Sequence, residues 1–235
     1  MSIQGFLQHY GYTDRELPDI AGTFKGRRLI ICADAACVWD DLERLGCANW
    51  GNERARGTVE PGENTDFMTV NALVSVFPGE IEHAYSNEPK VLDRFIAARR
   101  QEYRREFNRE VPTHTHSCSR GARWHWKLGG HGTSGLGATI VGVLLGYSPV
   151  ILAGMPLDDG PHNGEPPWRT CRFTREAASA TGPGPIKDPN AHHKNINSHW
   201  KVAKTELFEG IVFSMSGRTR SWFGEPPDLP KRGSW

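Results

Sequence analysis

In the twenty residues from Ser134 to Ala153 the chain passes from one regular element to another almost without a break. Thr133 or Ser134 can cap a helix that runs to about Leu145, and Gly146 can end it. Ser148-Pro149 then opens an apolar run, Val150 to Ala153, of strand length. The same alternation recurs elsewhere. Arg28 to Ala33 is an apolar run ending at Asp34, and Val38, Trp39, Leu42 and Leu45 follow at helical spacing. Phe67 to Phe77 reads as a strand with a short helical piece that stops at Pro78-Gly79, and Ile81 to Tyr85 is a further strand candidate. Pro89 precedes a helix from Val91 to Phe107. Ser198 can cap a helix from Trp200 to Phe208, and Ile211 to Phe213 is a last strand. Pro112 to Gly130 has no usable period and reads as irregular. Strands separated by helices imply a parallel sheet covered on both faces. The expected class is therefore α/β, a Rossmann-like central parallel sheet with helices on both faces, plus an irregular lid region.

The length of 235 residues suits one domain with a lid. Residues 1–224 are read as a single α/β domain. Its lid is placed near residues 160–198, where Gly and Pro crowd Thr181 to Pro189, and residues 225–235 as a flexible Pro-rich tail. A formal charge of +1 argues against a global basic field for nucleic acid. Five cysteines with no CxxC spacing point to free thiols in a reducing cytoplasm. No stretch approaches the ~18 apolar residues of a membrane span. The segment MSIQGFLQHY lacks the basic start and apolar core of a secretory signal. A cytoplasmic protein is expected.

In parallel sheets ligands bind beyond the carboxyl ends of the strands. Ala33-Asp34, Asn71, Ser86-Asn87 and Met155 to Asp158 fall at those ends. Gly130-His131-Gly132-Thr133-Ser134-Gly135 satisfies GxGxxG literally, but it does not follow an apolar strand as a dinucleotide fingerprint should. A Gly-rich turn that feeds a helix N-terminus still offers free backbone N–H groups and a positive dipole end, and Thr133 and Ser134 add hydroxyls. The arrangement suits a phosphate or a carboxylate; the plain alternative is a capped, closely packed helix.

Three other groups of residues invite a chemical reading. Arg94 to Lys127 holds nine Arg or Lys against three Glu. A solvated helix face explains much of this, and a nucleic-acid acceptor stacked on Trp124 and Trp126 is the functional alternative. His114-x-His116-x-Cys118 matches no common structural zinc module, and no metal site is expected. A histidine could serve as general base near neutral pH without a large pKa shift. His199 is the first candidate, followed by His162, His192 and His193.

The stretch GTSGLGATIVGVLLGYSPVILAGMPLDD, Gly132 to Asp159, resembles the signature of the sialyltransferase-like glycosyltransferases, a group that includes bacterial sialyltransferases and a related archaeal pterin pyrophosphokinase group. The shared pattern is a Thr/Ser-Ser-Gly turn, an alanine-rich helix, a Leu-Gly-Tyr stop, and an apolar strand ending in Gly-hydrophobic-Asp. Pro156 stands where the family commonly has that Asp, and Asp158 or Asp159 is the substitute. Ile30 to Leu42 resembles the first strand and turn, with Ala33-Asp34-Ala35-Ala36 where the family has glycines. Asn71 resembles the family Asn of the second strand, and Asn197-Ser198-His199-Trp200 the region of the catalytic His.

The resemblance implies a nucleotide cleft and transfer of a sugar from a nucleotide sugar, a CMP-sugar among the candidates, to a hydroxyl acceptor. On this reading His199 is the base, with His162 and Asp158 as further catalytic candidates. Ala33, Asp34, Ala35, Asn71, Ser86, Asn87, Thr133, Ser134, Gly135, Met155 and Leu157 line the nucleotide site. No tightly bound cofactor is expected. Two alternatives remain: a Mg²⁺-dependent pyrophosphokinase-like enzyme using Asp158 and Asp159, and a non-catalytic nucleotide- or nucleic-acid-binding protein.

Overall fold

The computed structural model describes residues 17–49, 58–103, 111–128, 133–157 and 198–229. Among them, in chain order, lie β1 (Arg28–Cys32), α1 (Val38–Arg44), β2 (Ala48–Asn49), β3 (Thr58–Val59), β4 (Thr65–Val70), α2 (Leu73–Val76), β5 (His83–Tyr85), α3 (Pro89–Tyr103), β6 (His114–Ser117), β7 (Trp124–His125), α4 (Ser134–Leu144) and β8 (Val150–Ala153). A helix described from residue 198, α5, ends in π-helical turns at Lys204–Phe208, and β9 (Val212–Ser214) and α6 (Gly217–Phe223) complete the order. Seven strands make one sheet in the order β7-β6-β5-β4-β1-β8-β9, every neighbouring pair parallel. The α/β class and the parallel sheet with helices on both faces are as expected.

The sheet is double-faced because its strands are apolar at successive positions. Leu29 and Ile31 of β1 pack with Met68, Val70, Leu152 and the residues of α4 on one face. Ile30 and Cys32 pack with Phe67, Ile151 and residues of α1, α2 and α3 on the other. Side chains alternate across a strand, so a strand buried on both faces needs apolar residues throughout. Pro89 opens α3, where its missing N–H costs nothing. Gly146, with φ of +97°, stops α4 after its C-cap Leu145. The chain leaves β1 toward β4 and leaves β8 toward β9, in opposite directions along the sheet. The crevice between the carboxyl ends of β1 and β8 is therefore the topological switch point, where open α/β sheets bind ligands.

The sequence reading differs from the structure in three places. Pro112 to Gly130 is not irregular throughout, for it contains β6 and β7. The inward residues of β6 are histidines. His116 is fully buried and accepts from the indole Nε1–H of Trp126, at 3.0 Å to its Nδ1. An indole can only donate, so His116 carries its proton on Nε2, which lies 2.9 Å from Nδ1 of His83. His83 in turn carries its proton on Nε2, 2.8 Å from the Tyr147 hydroxyl, and that hydroxyl donates to Asp66 at 2.7 Å. Arg27 closes the chain with two bonds to the same carboxylate. Burial, assisted by nearby positive groups, lowers the His83 pKa to about 3 and holds His116 well below its ordinary value. Trp126 is thus a core residue and no stacking surface.

Arg99 is the second difference. The pattern of Arg94 to Lys127 places it on a solvated face, yet it is 1% exposed and donates to the carbonyls of Val74, Phe77 and Gly79. Those carbonyls belong to the end of α2 and the turn after it, where the helix leaves acceptors unpaired. The third concerns residues 225–229, the described part of the Pro-rich stretch. Glu225 is paired with Arg44 and Arg220, Asp228 with Arg28, and Leu229 packs against the second core. The lid region 160–197 and residues 230–235 lie outside the described residues. Cys32, Cys37, Cys47 and Cys118 form no disulfide. No helix among the described residues is long and apolar enough to cross a membrane.

Candidate functional site

The proposed nucleotide-site residues gather at the carboxyl ends of the strands in two neighbouring groups. The first surrounds the start of α4. Thr133 is the N-cap, in extended conformation, and its Oγ1 accepts from the Leu136 N–H at 3.2 Å. The Gly137 N–H reaches the Thr133 carbonyl at 3.1 Å. Ser134 and Gly135, the first two residues of the helix, have no intrahelical acceptor for their N–H groups, which carry the positive end of the helix dipole. The Ser134 hydroxyl oxygen accepts from the Asn87 N–H at 3.3 Å, and a hydroxyl that accepts can still donate its own hydrogen.

Asn87 is held by its neighbours. The Tyr85 hydroxyl donates to its Oδ1 at 3.0 Å, and the Cys118 thiol donates to the same oxygen at 3.4 Å. Asn71, at φ of +52°, donates its N–H to the Tyr85 carbonyl at 3.0 Å and turns the chain out of β4. Ser86 is buried, and its Oγ accepts from the Glu88 N–H at 3.1 Å. This hydroxyl is engaged at the entry to α3, a structural duty that the sequence did not separate from ligand contact.

The second group sits at the switch point. Ala33 and Ala35 are buried, and their N–H groups donate to the carbonyls of Ala153 and Gly154 at 3.0 and 3.4 Å. Asp34 follows β1 and is half-buried. Asp41 of α1 is 2% exposed, and its Oδ2 accepts from the Gly154 N–H at 2.9 Å and the Ser216 hydroxyl at 2.8 Å. Burial raises the Asp41 pKa, against the pull of those two bonds. The carboxyl thereby ties together the ends of β8 and β9. Gly154, at φ of +65°, lies so close to the Ala33 carbonyl and to Val38 that any side chain would strike them. Met155 and Leu157 follow; Met155 is buried, and its carbonyl accepts from Thr219 at 2.6 Å. Asp158 and His162 lie outside the described residues, as do His131, His192 and His193.

Met155 joins the two groups. A Cβ on Gly135 would stand 2.8 Å from its Sδ and 3.8 Å from Cζ2 of Trp200. Trp200 of α5 therefore lies beside the start of α4, although more than sixty residues separate them in the chain. His199 is next to Trp200 and half-buried, and its Nδ1 is enclosed without a hydrogen-bond partner. Among the described residues no group of three or more His, Cys, Asp or Glu is placed to hold a metal ion. Asp41, Ser216 and Cys118 were not singled out by the sequence as site residues. For Asp41 there was no signal, since an acid in the first turn of a helix ordinarily faces solvent.

No protein-family model matches the chain, and no curated protein matches it. It is similar to a solved structure, the monofunctional alpha-2,3-sialyltransferase Cst-I from Campylobacter jejuni, at 12% sequence identity, over 85% of this chain and 80% of that one, with a TM-score of 0.53. The fold of this chain, a seven-stranded parallel sheet between layers of helices, is sialyltransferase-like.

Proposed function

We propose that the chain is a glycosyltransferase that takes a sugar from a nucleotide sugar, a CMP-sugar first among candidates, and passes it to a hydroxyl acceptor. The observation that carries this reading is the meeting of Trp200 of α5 with the first turn of α4 at the carboxyl ends of a sialyltransferase-like sheet. The first turn of α4 offers N–H groups and the Ser134 hydroxyl to a phosphate, and Trp200 of α5 lies beside it. An anionic leaving group at a helix N-terminus is stabilised as the glycosidic bond breaks. The imidazole of His199 would accept the proton of the acceptor hydroxyl. Residues after Leu157 would complete the site, with Asp158 and His162 as the candidates to contribute.

The experiment is a thermal-shift series with nucleotides and nucleotide sugars, since a ligand that binds only the folded state raises the unfolding midpoint. A CMP-sugar is expected to raise it. Calorimetry on Ser134→Ala should then show binding weaker by about 1 kcal/mol, and by more if the bond is charge-assisted. Stabilisation by no nucleotide at all would defeat the reading. A nucleotide that binds without donor turnover would favour a binding module.

A further inference from the structure

Trp200 has no exposed surface, and its indole Nε1–H is enclosed without a hydrogen-bond partner. Its ring is fixed, with centroids 6.1 Å from Phe208 and 6.0 Å from Phe223. A buried indole ordinarily finds an acceptor, because leaving the donor unpaired forfeits its solvation. The edge of the ring that carries the N–H also carries Cζ2, and that carbon lies 3.8 Å from the point where a Cβ on Gly135 would stand. That edge of the ring therefore lies beside the first turn of α4, where the N–H groups of Ser134 and Gly135 also lack intrahelical acceptors. Donors left unpaired on two neighbouring elements describe a place for an acceptor to arrive. The side chain beside them is Met155, whose Sδ is 2.8 Å from the same point. A thioether on three rotatable bonds is readily displaced.

We infer that Trp200 is a ligand-binding residue, whose indole N–H, together with the first backbone N–H groups of α4, receives an anionic oxygen of the bound substrate when Met155 swings aside. This rests on the nucleotide-cleft reading and adds to it a residue chosen for its donor and not for its aromatic face. The ligand chemistry is an oxyanion, the phosphate of a nucleotide or the carboxylate of an acidic sugar. Either would face N–H donors and no carboxylate among the residues described at that turn. Position 200 would then select for charge, because a neutral ligand oxygen gains less from an N–H than an anionic one.

The test uses the whole chain with ¹⁵N-labelled tryptophan and glycine. Trp200→Phe identifies the Trp200 indole signal and keeps the ring packing. Cytidine monophosphate, cytidine and N-acetylneuraminate are titrated in separate arms. The Trp200 indole resonance is expected to move with a charged probe and not with cytidine; movement with the monophosphate assigns the phosphate, with N-acetylneuraminate the carboxylate. Trp200→Phe should bind the effective probe about tenfold more weakly. If the Gly135 amide moves while the Trp200 indole does not, the cleft stands and the role of Trp200 falls. If neither moves with any probe, both fall. Because the resonance is read in the unaltered protein, the result does not depend on the variant folding.

Discussion

Gly137 lies directly beneath the hydroxyl of Tyr85, so closely that a methyl group at position 137 would collide with it. This contact sets how near α4 comes to β5, and with it the approach of Ser134 to Asn87. Gly137→Ala should therefore destabilise the protein in spite of the better helix propensity of alanine, by about 1–3 kcal/mol, the usual cost of overpacking. Urea denaturation measures this. Tyr85→Phe in the same background should recover part of the loss by removing the nearest atom; no recovery would place the strain elsewhere.

Acid should unfold the protein through its histidines. His83 and His116 are neutral when buried, with pKa values lowered in the folded state, that of His83 to about 3. The unfolded chain titrates them near 6.5 and so binds more protons below that pH. The stability they contribute is present above about pH 6.5 and is lost as pH falls toward the folded value. Asp41 and Glu82 act in the opposite sense, since burial raises their pKa values. Their contribution is greatest below the ordinary carboxylate range and declines as pH rises. The expected result is a fall in stability from pH 7 to pH 4 that becomes shallower in His83→Gln/His116→Gln, even if that variant is less stable throughout. An unchanged slope would acquit the pair.

Arg99→Met removes the charged donor from three carbonyls while keeping much of the aliphatic stem. A loss of more than about 2 kcal/mol is expected, since bonds to charged groups exceed neutral ones and the carbonyls are left unpaired in the interior. The exposed neighbour Arg100 provides the control; Arg100→Met should change stability by less than about 0.5 kcal/mol. Equal effects at the two positions would contradict the assignment.

His199→Ala should lower donor turnover, with donor hydrolysis as the assay when no acceptor is known. Loss of a general base typically costs about 10²–10⁴ in rate, and it should appear in kcat while nucleotide affinity is retained. Turnover at the wild-type rate would remove His199 from the mechanism and send the search to His162.

What could be read in advance follows burial chemistry. β1, α4 and β8 were legible because Leu29 to Cys32, Leu136 to Leu144 and Val150 to Ala153 are largely apolar runs of the right length, the first ending at Asp34 and the other two bounded by Gly or Pro. β6 was not, because His114 and His116 look like surface residues until Trp124 and Trp126, ten positions on, supply the indole donors that let them face inward. Arg99 was hidden for the same reason, as its partners are carbonyls, which every residue carries. In the site, the Thr133 cap was visible as a local pattern. The unpaired indole N–H of Trp200 was not, because a missing partner leaves no mark in the sequence.

The order of the sheet also bears on how the chain can be made. β1 pairs with β4 on one side and with β8 on the other, Leu29 against Val150. A nascent chain that has emerged from the ribosome only through β7 holds β1 with one edge bare, and the apolar residues of that strand are fully buried in the finished protein. Such an edge recruits other chains. Synthesis must run past Ala153 before the centre of the sheet can close, so fragments that stop short of Val150 should collect as aggregates, whereas a break in the exposed turn after Phe208 would leave the centre of the sheet already paired.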